Sequence, residues 1–81
     1  MRVLFVDDDA NVLSGLRRML RGMRFEWDMQ FAASGEEAIA LLRSKAFDVL
    51  ISDMRMPGVD GLQLLRMARD ERPSVVRIVL T

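Results

Sequence analysis

The chain has 81 residues, with no cysteine and no histidine, and its twelve basic residues balance twelve acidic ones. This length predicts one domain, and zero net charge argues against binding to nucleic acid or to a membrane surface. The missing residue types exclude disulfides, thiol nucleophiles, zinc fingers and imidazole bases, so any chemistry must use carboxylates, hydroxyls and a metal held by oxygen.

The N-terminal segment predicts a strand followed by a helix. Residues 3–6 are short, apolar and rich in β-branched side chains, which is typical of a buried parallel strand. The aspartates at 7–9 end this run before it is long enough for a signal peptide or a membrane span, so we expect a cytoplasmic protein. Apolar residues at helical spacing, with arginines between them, then predict a helix with a basic outer face: Val12, Leu13, Leu16, Met19, Leu20 and Met23.

The next two elements are a second strand and a second helix. Residues 27–31 alternate between apolar and polar side chains, which predicts a strand with one polar face at a sheet edge. A capping box follows, in which Ser34 would accept a hydrogen bond from the backbone N–H of Glu37 while Glu37 reaches back. The helix that begins there is expected to reach about Lys45.

The C-terminal part repeats the same order of elements. Residues 47–52 predict a buried strand that ends at Asp53, and 56–58 have turn chemistry. Asp60 is a candidate cap for a third helix that ends near the proline at 73 and turns three residues inward: Leu62, Leu65 and Ala68. Residues 75–80 predict a fourth strand.

Strands that alternate with helices predict an α/β fold with a mostly parallel sheet and helices on both faces. Because parallel strands all end at one edge, the residues just past their carboxyl ends gather there, and ligands of open α/β sheets bind at this edge. Four polar residues follow strands in this way: Asp7, Asp8, Asp53 and Thr81. If the third strand lies beside the first, Asp53 faces the other two acids.

Converging carboxylates repel one another, and a bound cation would relieve that repulsion. Mg²⁺ prefers oxygen ligands in a near-octahedral arrangement, and a carboxylate beside it can act as a phosphoryl-accepting nucleophile. Taken alone, three aspartates after a strand are more often a solvated turn and a helix cap than a binding site. Acids after both buried strands, together with a hydroxyl after the fourth, favour a site.

Two segments resemble the acidic signatures of the receiver domain of bacterial two-component response regulators: 3–9 (VLFVDDD) and 52–61 (SDMRMPGVDG). The resemblance implies a flavodoxin-like, doubly wound parallel sheet of five strands with five helices. Four of those strands and three of those helices are predicted in this chain.

The resemblance also implies roles for individual residues. Asp53 resembles the phospho-acceptor, and a sensor histidine kinase is the implied source of the phosphoryl group. Asp7, Asp8, Asp53 and the backbone carbonyl of Arg55 resemble the ligands of Mg²⁺, with Mn²⁺ as a possible substitute. Thr81 resembles the switch hydroxyl that turns toward the phosphoryl group.

Two features of the family are missing from this sequence. The family places a lysine at the end of a fifth strand and an aromatic switch residue within that strand, whereas here the only lysine is Lys45. We therefore expect residues 1–81 to be a single, C-terminally truncated receiver domain whose phosphorylation is impaired. The fourth strand would then be an exposed edge through which the chain associates with itself.

Two other functions are compatible with the pattern. The first is an interaction or dimerisation fragment that cannot be phosphorylated, because the lysine is missing. An aspartyl-phosphate hydrolase of the haloacid-dehalogenase type would need a second aspartate two residues after the nucleophile, and Arg55 occupies that position.

Overall fold

The computed structural model describes residues 1–22 and 27–80, and the predicted order of strands and helices is confirmed. The predicted Met23 position of the first helix lies outside the described residues. The elements are β1 (Arg2–Val6), α1 (Ala10–Arg21), β2 (Asp28–Ala32), α2 (Gly35–Ser44), β3 (Val49–Asp53), α3 (Gly61–Glu71) and β4 (Val76–Leu80). None of the described helices is both long enough and apolar enough to cross a membrane.

The four strands form one parallel sheet in the order β2-β1-β3-β4. Phe5 of β1 therefore pairs with Phe31 on one side and with Ile51 on the other. The chain winds one way from β1 to β2 and the opposite way from β1 to β3, so the sheet has its switch point beside β1. This order confirms the predicted α/β, flavodoxin-like fold class.

The main core lies between the sheet and the helices α2 and α3. Leu4 of β1, Leu50 of β3 and Leu64 of α3 are fully buried within it, together with Leu42 of α2. The residues of β1 that face the other way are also covered, because Val3 is buried. The first strand is thus apolar on both faces for the reason predicted: it lies in the middle of the sheet.

Helix α1 lies on the opposite face of the sheet, and its three arginines, Arg17, Arg18 and Arg21, are exposed, as the predicted basic outer face requires. The guanidinium carbon of Arg17 lies 4.9 Å from the ring centroid of Phe31, which itself stacks on Phe5 with ring centroids 5.7 Å apart. Arg17 therefore covers the sheet edge with a cation–π contact. The apolar side chains Val12 and Met19, which were expected on the inner face of the helix, are exposed.

Three other expectations need correction. Strand β3 begins at Val49 and not at residue 47. The preceding Asp48 donates its N–H to the carbonyl of Arg2 and accepts the N–H of Arg2 on its carboxylate. Strand β4 likewise begins at Val76. In α3 the predicted inward positions of Ala68 and Leu65 are confirmed, but Leu62 is 47% exposed, and Leu64, which is 0% exposed, faces the core in its place.

Both predicted helix caps are present. Ser34 accepts the N–H of Glu37 at 3.1 Å, although Glu37 reaches back to the N–H of Ala33 and not to that of Ser34. Asp60 caps α3 in a complete capping box with Gln63.

Candidate functional site

The three predicted acids lie together at the carboxyl edge of the sheet. Strands β1 and β3 are neighbours, and Val6 pairs with Ser52, so Asp7 and Asp53 occupy equivalent positions one residue further on. Asp7, Asp8 and Asp53 each offer a carboxylate oxygen, and these oxygens all lie within 4.8 Å of one another. Asp7 and Asp53 are half-buried, whereas Asp8 is exposed.

Hydrogen bonds at the end of β1 restrain Asp7 and give Asp9 a different role from its two neighbours. The N–H of Asp7 donates to the carbonyl of Ala32, and its carboxylate accepts the N–H of Asp9 at 2.9 Å. Asp9 in turn caps α1 by accepting the N–H of Asn11. The interpretation of the run as a turn and cap is therefore correct for Asp9, while its two neighbours lie beside Asp53.

The backbone around Asp53 is held by contacts that the sequence analysis missed. The hydroxyl of Ser52 is fully buried and donates to the carbonyl of Asp53 at 2.9 Å. The N–H of Met54 donates to the carbonyl of Leu80 on β4. Gly61, at the start of α3, approaches so closely that a Cβ there would overlap the carbonyl oxygen of Asp53. The only sequence signals are a polar residue in a buried strand and a glycine at a helix start.

Two further residues were predicted to belong to this site. Arg55 lies on the exposed loop after β3 and lines a depression together with Asp53, Met54 and Leu80. Thr81 lies outside the described residues, but it follows Leu80, whose register partner is Asp53. The Arg55 carbonyl as a metal ligand and Thr81 as a switch hydroxyl stay predictions.

The donor set at this edge suits Mg²⁺ or Mn²⁺. All three side chains offer only carboxylate oxygen, which these hard cations prefer. With bonds of roughly 2.0–2.1 Å, the oxygens of an octahedral site are roughly 3 Å apart when adjacent and 4 Å apart when opposite. The observed oxygens lie within 4.8 Å of one another, which is close to those spacings, and Asp8 is exposed to solvent that can supply bound water.

Lys45 lies at the opposite end of the sheet. It is the C-cap residue of α2, and its ammonium donates to the side chain of Gln30 at 3.3 Å. The carbonyl of the next residue, Ala46, accepts from Arg2 at the start of β1. Lys45 therefore supplies no positive charge to the acids, as predicted.

Comparison with known proteins agrees with this geometry. The sequence model of the family described as the response regulator receiver domain matches residues 3–81. The chain belongs to this family. Because its members are signalling domains, the family assignment favours signalling over the hydrolase alternative.

Relatives and solved structures support the same assignment. The transcriptional regulator NtrC of Salmonella typhimurium is 40% identical over 79 residues, which cover 98% of this chain but only 16% of that protein. The signal receiver domain of an HD domain-containing protein from Pseudomonas fluorescens shares 32% identity with a TM-score of 0.89, over 99% of this chain and 62% of that one. RcsB from Salmonella enterica, solved on a promoter with the phosphomimetic BeF₃⁻, shares 32% identity with a TM-score of 0.84, over 100% of this chain and 68% of that one.

Proposed function

We propose that this receiver domain takes a phosphoryl group from a sensor histidine kinase onto Asp53. Asp7, Asp8, Asp53 and the carbonyl of Arg55 would hold the Mg²⁺ that the reaction uses. The observation that supports this proposal is the meeting of three carboxylates within 4.8 Å at the switch point of a receiver-family sheet. That residues 1–81 belong to one domain stays a prediction, supported by the single sheet and continuous core of the described residues.

The chemistry is an in-line displacement at phosphorus. A carboxylate oxygen of Asp53 forms the new P–O bond while the P–N bond of phosphohistidine breaks, and the released electron pair stays on the imidazole nitrogen, which takes up a proton. Bound Mg²⁺ would offset the negative charge that gathers on the phosphoryl oxygens. The N–H of Asp9 donates to one carboxylate oxygen of Asp7, which restricts the orientation of that side chain beside Asp53.

Thr81 is the proposed switch residue. Leu80 pairs with Asp53 across β3 and β4, and its carbonyl binds the N–H of Met54. A rearrangement next to Asp53 on phosphorylation would therefore act directly on the end of β4 and on the residue that follows it. A hydroxyl there can donate a hydrogen bond to a phosphoryl oxygen.

Metal binding by the 81-residue chain tests the proposal. We expect Mg²⁺ or Mn²⁺ at millimolar concentration to shift the backbone NMR signals of Asp7, Asp8 and Asp53. Asp53→Asn and Asp8→Asn should each weaken binding, because each removes a charged ligand. Asp70→Asn is the matched control, since Asp70 is an exposed acid of α3 that pairs with Arg69. Equal binding by all variants, or no site-specific response, would refute the site.

Phosphorylation is expected to be slow in this chain. Lys45 lies at the far end of the sheet, so no lysine helps to neutralise the phosphoryl group beside three carboxylates. Intact-mass measurement after incubation with a small acyl phosphate should show slow modification that Asp53→Asn abolishes. Rapid, complete phosphorylation would show that the lysine is dispensable, and modification that survives Asp53→Asn would exclude Asp53 as the acceptor.

We also propose that the 81-residue chain associates with itself through β4, which is the second candidate function. Within residues 1–22 and 27–80, β4 is an edge strand, and its three side chains on one face are apolar and exposed: Val76 (57%), Ile78 (42%) and Leu80 (54%). The one charge in the strand is Arg77, and its guanidinium turns back to the carbonyls of Pro73 and Val75. Such an edge is open to pairing with a second copy.

The register shows which backbone groups are available for that pairing. Val76 donates its N–H to Asp48, and Leu80 accepts from Met54, so the even-numbered residues of β4 bond to β3. The N–H groups of Arg77 and Val79 consequently point to the open edge. A strand of a second copy of the chain would accept hydrogen bonds from these N–H groups.

Proline substitution distinguishes backbone pairing at the edge of β4 from association through the exposed apolar side chains. Val79→Pro removes an outward donor and should convert the self-associated chain to monomer, as measured by sedimentation velocity at high micromolar concentration. Ile78→Pro is the contrasting variant, because it removes a bond to β3 and should unfold the strand. A well-folded monomer for the unsubstituted chain, or association that Val79→Pro leaves unchanged, would refute edge pairing.

A further inference from the structure

The loop between β3 and α3, residues 54–60, carries Arg55 and is held at both of its ends. At its start it continues from Asp53, and at its finish the N–H of Gly61 donates back to the carbonyl of Met54 at 2.9 Å. Between these points the side chain of Met56 is buried in the main core. Residues 57–60 connect Met56 to Gly61, so a contact in this second half of the loop helps to set the path of the backbone that carries Arg55.

Glu36 of α2 supplies that contact. Its carboxylate accepts the backbone N–H of Val59 at 3.1 Å, across 23 residues of sequence. The same oxygen lies against Gly58, where a Cβ would be only 2.6 Å away and where the backbone has a φ of +74°. The pKa of Glu36 is lowered, first by its own backbone N–H and then by that of Val59. The carboxylate thus binds the loop in its charged form.

The adjacent Glu37 makes hydrogen bonds only around the N-terminus of α2. Its carboxylate accepts the N–H of Ala33, and its own N–H donates to Ser34, so all of its polar contacts stay within the cap of α2. Glu36 and Glu37 carry the same charge on the same exposed helix turn. Only Glu36 reaches the loop that follows Asp53.

We propose that Glu36 is a positioning residue for the metal site: through the N–H of Val59 it fixes the loop that presents the Arg55 carbonyl. The inference rests on the proposed function, because it requires that the site binds Mg²⁺. Glu36 would act without touching the cation, as partners outside the direct ligands commonly do, and loss of such a partner typically weakens metal binding 10–100-fold. Since Glu36 is exposed and acts through backbone, we expect a loss of about tenfold.

Three variants distinguish the effect of the Glu36–Val59 hydrogen bond on Mg²⁺ affinity from the effect of the carboxylate charge. Glu36→Ala removes both and should raise the Mg²⁺ dissociation constant about tenfold. Glu36→Gln keeps an oxygen that accepts from Val59 and should restore affinity to within about twofold of the unsubstituted chain. Glu37→Ala removes the neighbouring charge and should also stay within about twofold, because its contacts do not reach the loop. Amide hydrogen exchange of Val59 without metal should be faster only in Glu36→Ala.

The outcomes distinguish this inference from the proposed function. If the unsubstituted chain fails to bind Mg²⁺, the proposed function fails and the inference falls with it. If that chain binds and Glu36→Ala binds equally well, the inference alone is overturned. Equal losses in Glu36→Ala and Glu36→Gln would overturn it too, since charge and not the hydrogen bond would be responsible. Should Glu36→Ala unfold, Glu36→Asp, whose side chain is too short to reach Val59, replaces it in the comparison.

Discussion

Replacement of Gly61 by alanine tests how tightly α3 packs against the backbone that carries Asp53. A Cβ at this position would overlap the carbonyl oxygen of Asp53 and lie 2.7 Å from the Cα of Met54. Both neighbours are backbone atoms, which cannot rotate away as a flexible side chain can. The strand end or the helix start must therefore move, although the N–H of Gly61 is bonded to the carbonyl of Met54.

The size of the effect follows from two opposing contributions. Forcing an extra methyl group into a packed region costs about 1–3 kcal/mol, while alanine is favoured over glycine in a helix by about 1 kcal/mol. Because Gly61 is at the helix start, the second contribution is small, and we expect a net loss of about 1–3 kcal/mol. For a chain of 81 residues whose total stability is about 4–12 kcal/mol, that is a large fraction.

Gly15→Ala is the matched control. Gly15 lies in the middle of α1, and a Cβ there meets nothing within 4 Å, so the same change should stabilise the chain by about 0.5–1 kcal/mol. Urea unfolding followed by circular dichroism measures both variants. Midpoints that move in opposite directions support the close contact at Asp53. A Gly61→Ala chain as stable as the unsubstituted one would refute it.

Two other experiments have a clear expected outcome. Leu64→Ala should lower the free energy of unfolding by about 2–5 kcal/mol, whereas Leu62→Ala should change it by less than about 0.5 kcal/mol, because the first side chain is buried and the second exposed; equal losses in urea unfolding would contradict this. The hydrogen bond from Arg43 lowers the pKa of Glu71 from 4.5. The stability it contributes is present above the unfolded-state pKa and lost as pH falls through the folded-state value, so Glu71→Gln should lose less stability than the unsubstituted chain between pH 7 and pH 3. The same pH dependence in both would contradict the pairing.

Local features of the fold were predictable because their causes are local. The caps at Ser34 and Asp60 each involve a side chain and a backbone N–H three residues away, and both are present. Hydrophobic periodicity gave every strand and helix in order, because each must bury an apolar face. It failed for Leu62 and Leu64, where two leucines at nearby positions leave the inward face of the helix undecided until its packing partner is known.

The acids of the site were also predictable, although they are distant in sequence. Their meeting follows from strand order alone and needs no knowledge of side-chain distances. Parallel strands end at one edge of the sheet, and β1 lies beside β3 in this order. Asp7 and Asp53 had to meet once the order was right. Arg17 was not predictable in this way, because its contact with Phe31 depends on where α1 lies across the sheet.

The contacts that hold the site depend on distances that no pattern in the sequence encodes. Glu36 and Glu37 are the same residue type on one helix turn, and the capping pattern applies to the second alone. Which backbone N–H the first one meets is decided by how closely α2 approaches the loop after β3, and Gly58 leaves the space for it. Strand order therefore predicts which acids would bind a cation. The packing of α2 and α3 against the loop of residues 54–60 determines how precisely the backbone beside those acids is positioned. Substitutions at Glu36 and Gly61 should consequently perturb the site even though neither residue supplies a metal ligand or the phospho-acceptor.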